Sequence, residues 1–499
     1  MSLVRITTRS IVLAAAFAAV AVLAQIDLAG ADTGDPAVEI VVKVEPGVDP
    51  TTLSEERDID LIESVLASRG IYLLAVEALP GEDHDKALKE ATKDLEKADG
   101  VIYAEPNHDA EVTDVDRFHH WDSVEPSFVG TDPRLRTDQD VVSQLGLPSL
   151  RQFVTGAGIT VAVLDTGADL DHPDLVRNLL PGYDYVDDDA APDDIANGLD
   201  DDGDGRIDEG AGHGSHVSGL VTLVAPDARI LPLRVLDSDG TGSVFVTAEA
   251  IIDAVAAGAD VINLSFGYES EIESEVLEEA LKIARKAEVV IVAAAGNDAS
   301  SDEQYPAASK DVLSVGAVDT ASTSAAGYTN RGKWVTVGAP GVDLISTVPG
   351  GYARASGTSM SAPIVAGEVA LLKQLDPHKM RKAKDVRNAV RKAARALDVA
   401  KELDPRFAAV DFAMIALPDL PPPPIVAPTP AAPTEPEPPS PASSAESVDD
   451  ETVDNTQPEP PTADDPPADE PPVDEPPAGG AEPEPAAGTA QVEPEPPAS

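Results

Sequence analysis

Ile159-Thr160-Val161-Ala162-Val163-Leu164-Asp165-Thr166-Gly167 is a β-branched apolar run that ends in an acid and a glycine. An apolar run without alternation reads as a strand buried on both faces, hence a strand of a parallel sheet, with Asp165 at its carboxyl end. Downstream, further strands are expected over 229–235, 260–265, 288–294, 312–317 and 334–337, beside this one over 159–164. Helical stretches fall between and after them, near 214–223, 244–257, 273–287, 361–375 and 383–396. Strands that alternate with helices predict an α/β fold, a doubly wound and mostly parallel sheet covered on both faces. In such sheets the working groups gather at the carboxyl ends of the strands.

Two more stretches bear on what gathers there. Gly212-His213-Gly214-Ser215-His216-Val217-Ser218-Gly219-Leu220 opens an apolar helix with a histidine flanked by small residues. Ser356-Gly357-Thr358-Ser359-Met360-Ser361-Ala362-Pro363 reads as a tight turn entering a buried helix. Pro363 suits an early helical position, where a missing N–H costs little. Ser359 then sits at a helix N-terminus, whose free N–H groups and positive dipole favour a developing oxyanion. A serine hydroxyl needs a base to take its proton, and His213 has the intrinsic pKa for it. A carboxylate on the other ring nitrogen fixes the tautomer and stabilises the imidazolium, which is the role for Asp165.

Asp, His and Ser in this chain order follow the order of subtilisin. On these three stretches the chain resembles the subtilisin-like serine peptidases, over roughly residues 140 to 417. The resemblance implies a subtilisin-like catalytic domain, expected over 146–417, which hydrolyses peptide bonds of proteins through an acyl-enzyme. In Ala293-Ala294-Ala295-Gly296-Asn297, Asn297 matches the family's oxyanion asparagine. Gly240-Thr241-Gly242-Ser243 looks like the edge strand that pairs with substrate backbone, and Asn263-Leu264-Ser265-Phe266-Gly267 like the strand lining the first specificity pocket. Gly240, Gly242, Ser265, Phe266, Gly267, Ala294 and Gly296 are therefore the expected substrate-binding residues. Walls of Ala294, Ala295 and Gly267 predict a preference for large apolar or aromatic residues before the cut. Ser215, Ser218 and the pair Ser361-Ala362 depart mildly from the family pattern, and none removes a reacting group.

The remainder of the chain suggests a secreted, self-processing enzyme. Residues 1–31 read as a signal peptide, with Arg5 and Arg9 before the apolar Ile11 to Ala24 and a small-x-small site at Ala29-Gly30-Ala31. An uncleaved anchor is the alternative. Residues 37–112 read as a small α+β, ferredoxin-like unit with strands 38–44, 71–76 and 101–107 and helices over 61–66 and 85–97. It resembles a subtilase propeptide, which implies a chaperone and inhibitor that is later cut away; a permanent accessory domain is the alternative. Residues 113–145, polar and irregular, read as processing linker and mature N-terminus. Residues 418–499 are Pro-, Glu-, Asp- and Ala-rich and read as a disordered acidic tail.

Before His213 lies the acid run Asn197 to Glu209, in which Asp200, Asp202 and Asp204 alternate ahead of Gly205. This begins a calcium-loop pattern, with Arg206 offering a carbonyl and Asp208 a side chain, although Ala211 replaces the closing Glu of an EF-hand. Asp174, in His172-Pro173-Asp174-Leu175, matches a family calcium ligand. Structural Ca2+ is the expected cofactor, and catalysis needs none.

With 499 residues, a formal net charge of -55 and no cysteine, the chain has no disulfide framework and would be repelled by nucleic acid and anionic membranes. The expected partners are protein or peptide substrates and the chain's own propeptide, with no nucleic acid, no membrane after signal cleavage, and a monomeric enzyme. Activity should rise with pH as His213 becomes neutral. Two rival readings remain: an inactive relative that only binds peptides in its cleft, and a calcium-dependent surface protein.

Overall fold

A computed structural model describes residues 38–57, 60–63, 65–76, 84–112, 127–269, 274–310, 312–319, 324–393, 395–396 and 408–409. The chain divides into a unit of residues 1–425 and a second of 426–499. The second unit, the segment 1–31 and the expected end of the catalytic unit near residue 417 all lie outside the described residues.

A ten-stranded sheet forms the body. Its central order runs Val337–Pro340, Leu313–Asp319, Val290–Ala294, Val261–Leu264, Thr160–Asp165, Arg229–Arg234, Tyr183–Asp184, and every one of these neighbours pairs in parallel. The apolar runs are continuous because the two faces of each strand enter different cores. Val161 and Val163 point into one cluster with Val292, Val315 and Val337. Ala162 and Leu164 point into the other with Leu231, Ile262 and Ile291. Helices His213–Val224 and Thr358–Leu375 contribute to the first core, and helices Val244–Ala256 and Glu275–Lys286 to the second. The expected strands and helices of this body form with two departures: the helix expected over 383–396 runs Ala383–Ala393, with Arg395–Ala396 a strand paired to Ala408–Ala409, and one strand is displaced. The run expected at 334–337 ladders at Val337–Pro340, where Val337 pairs with Val315. Trp334 and Thr336 are instead held by Ser314, whose hydroxyl donates to the Trp334 carbonyl and accepts from the Thr336 N–H.

Ahead of this body stands a four-stranded antiparallel sheet, in the order Asp60–Glu63, Ile71–Val76, Val38–Val44, Val101–Pro106. Helix His84–Leu95 packs against it, and Ile40, Val42, Val44, Leu74, Leu95 and Ala104 form its own core. The opposite face, with Val41, Ile71 and Leu73, joins the second core of the larger body. The helix expected over 61–66 is absent. Asp60–Glu63 is an edge strand paired to Ile71–Val76, followed by a 3₁₀ turn over Val65–Arg69, and pairing overrides local helical spacing there.

Residues 127–145 are more regular than their polarity suggests. Ser127–Gly130 adds a strand to the hairpin of Leu344–Val348 and Gly351–Ala355. Short helices at Arg134–Thr137 and Asp140–Gln144 bury Arg136, Val141 and Val142. No helix among the described residues is long and apolar enough to cross a membrane.

Candidate active site

Asp165 ends its strand fully buried, and His213 is the first residue of its helix. Asp165 Oδ1 accepts from the Thr166 N–H at 2.9 Å and meets His213 Nδ1 at 2.7 Å. That contact sets the proton on Nδ1 and leaves Nε2 as the basic nitrogen. The approach depends on Gly214. A Cβ there would lie 2.2 Å from the Gly167 carbonyl and 3.1 Å from Asp165 Oδ1, so any side chain would wedge the helix off the strand. The motif's second histidine is not a rival base. His216 Nε2 reaches the carbonyls of Leu344 and Ala353 at 3.2 Å each, and full burial drives its pKa down to about 3. It is a neutral tie between the helix and the hairpin.

Ser359 is the second residue of helix Thr358–Leu375 and is fully buried. Pro363 stands inside that helix and cannot donate to the carbonyl four residues back, which is that of Ser359. Ser265 Oγ fills the gap, donating to the Ser359 carbonyl at 2.9 Å while accepting from Asn263 Nδ2 at 2.9 Å. Asn297 Oδ1 accepts the Thr358 N–H at 2.9 Å, and the Gly296 N–H donates to Thr358 Oγ1 at 3.0 Å. The oxygen end of the Asn297 amide is thus tied beside the serine, so its NH2 is the end that can meet a developing anion. Gly296, at φ +94°, admits no side chain: a Cβ would lie 1.7 Å from Gln304 Oε1.

An extended segment of the chain itself lies along the expected substrate strands. Asp109–Glu111 pairs antiparallel with Thr241–Ser243. Glu111 and Gly267 exchange both N–H···O bonds, at 2.9 and 3.0 Å, and the Val112 N–H donates to the Gly240 carbonyl at 2.9 Å. Gly240, Gly242 and Gly267 are thus backbone partners of this extended segment of the chain. Ala110 and Val112 are buried in the cluster that holds Phe266 and Leu236. Ala294 and Ala295 are placed otherwise. Ala294 lies in the first core with Met360, and Ala295 packs with Val318 and Val335, so their methyl groups face the interior. That removes the basis on which they were expected to wall an apolar pocket.

The segment just before this strand grips two helix ends. Glu105 accepts from Ser274 Oγ at 3.0 Å and from the Glu275 and Val276 N–H groups at 2.8 and 2.9 Å. Asn107 Oδ1 accepts from the Phe245 N–H at 3.0 Å, and the His108 carbonyl from the Val244 N–H at 2.9 Å. These are the orphan donors of helices Glu275–Lys286 and Val244–Ala256. Lys43 adds an ion pair to Glu279.

In the acidic run, one carboxylate oxygen from each of Asp200, Asp202 and Asp204 lies within 4.8 Å of the others. Asp202 is held above the usual carboxylate range and Glu209 is raised to about 7, in both cases by burial first and then by neighbouring carboxylates. Asp239 clasps the loop, accepting from the Asp201 and Asp208 N–H groups. Two expected ligands are turned elsewhere. Asp208 accepts from the Asn197 N–H at 2.7 Å and the Gly198 N–H at 2.9 Å. Asp174 accepts from Tyr352 Oη at 2.9 Å and pairs with Arg136 at 3.3 Å, so a buried guanidinium supplies its positive charge. Arg206 lies beside Asp204, its N–H donating to Oδ1 at 2.7 Å.

A buried carboxylate on an imidazole, a serine at a helix start and an amide beside it are the kinds of group a serine hydrolase uses, and the strand laddered at Thr241–Ser243 shows how an extended peptide pairs there. Residues 156–411 match the model of the subtilase family, and the chain belongs to that family of serine-type endopeptidases. It is 33% identical over 361 residues to an alkaline protease of Alkalihalobacillus alcalophilus, covering 70% of this chain and 81% of that one. It is 43% identical over 227 residues to a thermophilic serine proteinase of Bacillus sp. (strain AK1), covering 43% of this chain and 52%, about half, of that relative's length. Among solved structures it is similar to fervidolysin of Fervidobacterium pennivorans, a keratinolytic enzyme related to subtilisin, with TM-score 0.60, 25% identity, and coverage of 77% and 61% of the two chains.

Proposed function

We propose that the chain is a secreted serine endopeptidase that cuts proteins with Asp165, His213 and Ser359 and first cuts itself. Ser359 Oγ attacks the scissile carbonyl while His213 Nε2 takes its proton. Asp165 stabilises the imidazolium, and the Asn297 NH2 and Ser359 N–H receive the oxyanion. The proton then passes from His213 to the leaving amine, and water, activated by the same imidazole, releases the acyl group. The observation that carries this reading is the 2.7 Å Asp165–His213 contact, beside a cleft already laddered to an extended peptide.

Self-processing is supported by the identity of that peptide. The strand runs antiparallel to Ser265–Gly267, so its carboxyl end points toward Ser265 and the Ser359 carbonyl it touches. Residues 37–112 would then act as propeptide and inhibitor, and the bond cut lies soon after Val112. Secretion rests on the signal-like composition of residues 1–31. Asp200, Asp202 and Asp204 fit a hard divalent cation such as Ca2+, which would relieve their crowding and stiffen the loop. Asp208 and Asp174 fit that role poorly, since other groups hold their carboxylates. Labelling of the processed protein by a serine-directed phosphonate, mapped by peptide mass, tests the nucleophile. Modification at Ser359 is expected, and an active enzyme labelled elsewhere would refute the assignment.

A further inference from the structure

The N-terminus of the histidine helix has no cap of its own. Residue Gly212 occupies the cap position with φ +90° and no side chain to accept a backbone N–H. Four donors at the start of this helix need partners, and all four have them. The His213 N–H donates to the Gly210 carbonyl at 3.0 Å and the Gly214 N–H to Thr166 Oγ1 at 2.9 Å. The other two go to one carboxylate far back in the chain: the Gly212 N–H to Asp194 Oδ1 and the Ser215 N–H to Asp194 Oδ2, each at 2.8 Å. Thr166 Oγ1 lies 3.0 Å from Asp194 Oδ1. Because that hydroxyl already accepts from Gly214, its single proton must go to Asp194. Ser215 Oγ repeats the pattern, accepting from the Asp169 N–H at 2.7 Å and donating to Asp194.

Asp194 therefore faces donors only. A donor-only surrounding suits the ionised carboxylate and opposes the burial that pushes its pKa up. It sits where the chain leaves for the acidic excursion of 195–211 and takes hold of Gly212 where the chain returns. A bulky insertion between the two reacting groups is thereby closed at its stem. Through Thr166 the same carboxylate is bonded to the residue whose N–H orients Asp165.

We propose that Asp194 is a positioning residue for His213: its carboxylate locks the start of the histidine helix against the Asp165 strand and places a second buried negative charge near the imidazolium. This rests on the reading of Asp165, His213 and Ser359 as the catalytic triad. The charged surroundings of Asp194 are few. Asp165 faces it from the strand, and His213 and the neutral His216 lie on the helix. On its own loop Asp193 turns to the Leu170 N–H, and beyond the strand Asp169 turns to the Asp171 N–H. The hairpin over 344–355 meets the helix with carbonyls at His216.

The test is the pH profile of kcat/KM for the processed enzyme and Asp194→Asn, with Ser359→Ala as the inactive control. Loss of the charge makes the imidazolium easier to deprotonate, so the acid limb should move to lower pH by about half a unit or more. Looser seating of the imidazole should cut kcat about tenfold or more, with KM within about twofold. Thr166→Val should lower kcat in the same way, and Thr166→Ser, which keeps the hydroxyl, should restore it; this pair decides the matter if the Asn variant does not fold. A Ser359-dependent enzyme whose acid limb and kcat are unmoved in Asp194→Asn, or whose Thr166→Val is fully active, overturns the proposal alone. Activity that survives Ser359→Ala brings down the triad reading, and the proposal with it.

Discussion

Pro363 and Ser265 form a testable pair. The proline removes the N–H that would have bonded the Ser359 carbonyl, and the Ser265 hydroxyl replaces that donor at 2.9 Å. Ser265→Ala would remove a hydrogen bond from each of two groups on fully buried residues, the Ser359 carbonyl and Asn263 Nδ2. At about 1–3 kcal/mol for each buried polar group left unmade, partly relieved by local adjustment, the expected loss is about 2–4 kcal/mol. Adding Pro363→Ala supplies the missing helical N–H to the Ser359 carbonyl and should recover about 1 kcal/mol of it, whereas Asn263 stays unpaired. The assay is urea unfolding followed by circular dichroism, with Ser359→Ala as the common background to prevent autolysis. The expected signature is a lower midpoint at unchanged slope for Ser265→Ala and a double-mutant coupling near 1 kcal/mol. A Ser265→Ala loss below about 0.5 kcal/mol, or additivity of the two changes within about 0.3–0.5 kcal/mol, would refute the reasoning.

Three further outcomes are expected. His216 is held neutral, with its folded pKa of about 3 below the unfolded value, so the unfolded chain binds the extra proton. Its stability contribution is complete above about pH 6.5 and declines toward pH 3, at up to about 1.4 kcal/mol per pH unit; His216→Gln should remove one proton from the slope of stability against pH over that window, and an unchanged slope contradicts the assignment. Glu105→Ala strips three hydrogen bonds from the start of helix Glu275–Lys286 and should weaken retention of the cleaved N-terminal unit by about 1–3 kcal/mol, read as faster dissociation, while Lys86→Ala on an exposed helix should leave it unchanged. Calcium should raise Tm and a chelator lower it, with the difference abolished in Asp202→Asn; a Tm indifferent to both would remove the cation from the account.

The sheet was legible because its strands are buried on both faces. Val161 to Leu164 shows that in the sequence as an unbroken apolar run. Asp165, His213, Ser359 and Asn297 were legible because each sits at the end or start of such an element, where small residues let backbones close in. Pairing was harder to see. Asp60–Glu63 has no strand signature of its own and becomes one through its neighbour Ile71–Val76. The hairpin of Leu344–Ala355 and its third strand at Ser127–Gly130 join segments more than two hundred residues apart. The contacts of Asp174 were not legible, because a ligand-like carboxylate does not announce its counter-ion and Arg136 lies well away in sequence. Asp194 was missed because its partners, two backbone N–H groups and the Thr166 and Ser215 hydroxyls, form no side-chain motif of fixed spacing. The glycine at the cap position of the histidine helix was the available signal: a helix start without a capping side chain must find one elsewhere.

The most direct test of the account is the intact mass and N-terminal sequence of the expressed protein beside its Ser359→Ala variant, each made with calcium present. Asp109–Glu111 lies paired in the cleft and Ser127–Gly130 is already paired to the Gly351–Ala355 strand, so the account puts the processing bond between Glu111 and Ser127. Wild type should lose the N-terminal unit and begin within that interval, close behind Val112, while Ser359→Ala should retain residues 38–112 covalently. Identical trimming of both proteins, or a wild type that stays whole, would contradict a working Ser359 that cuts its own chain.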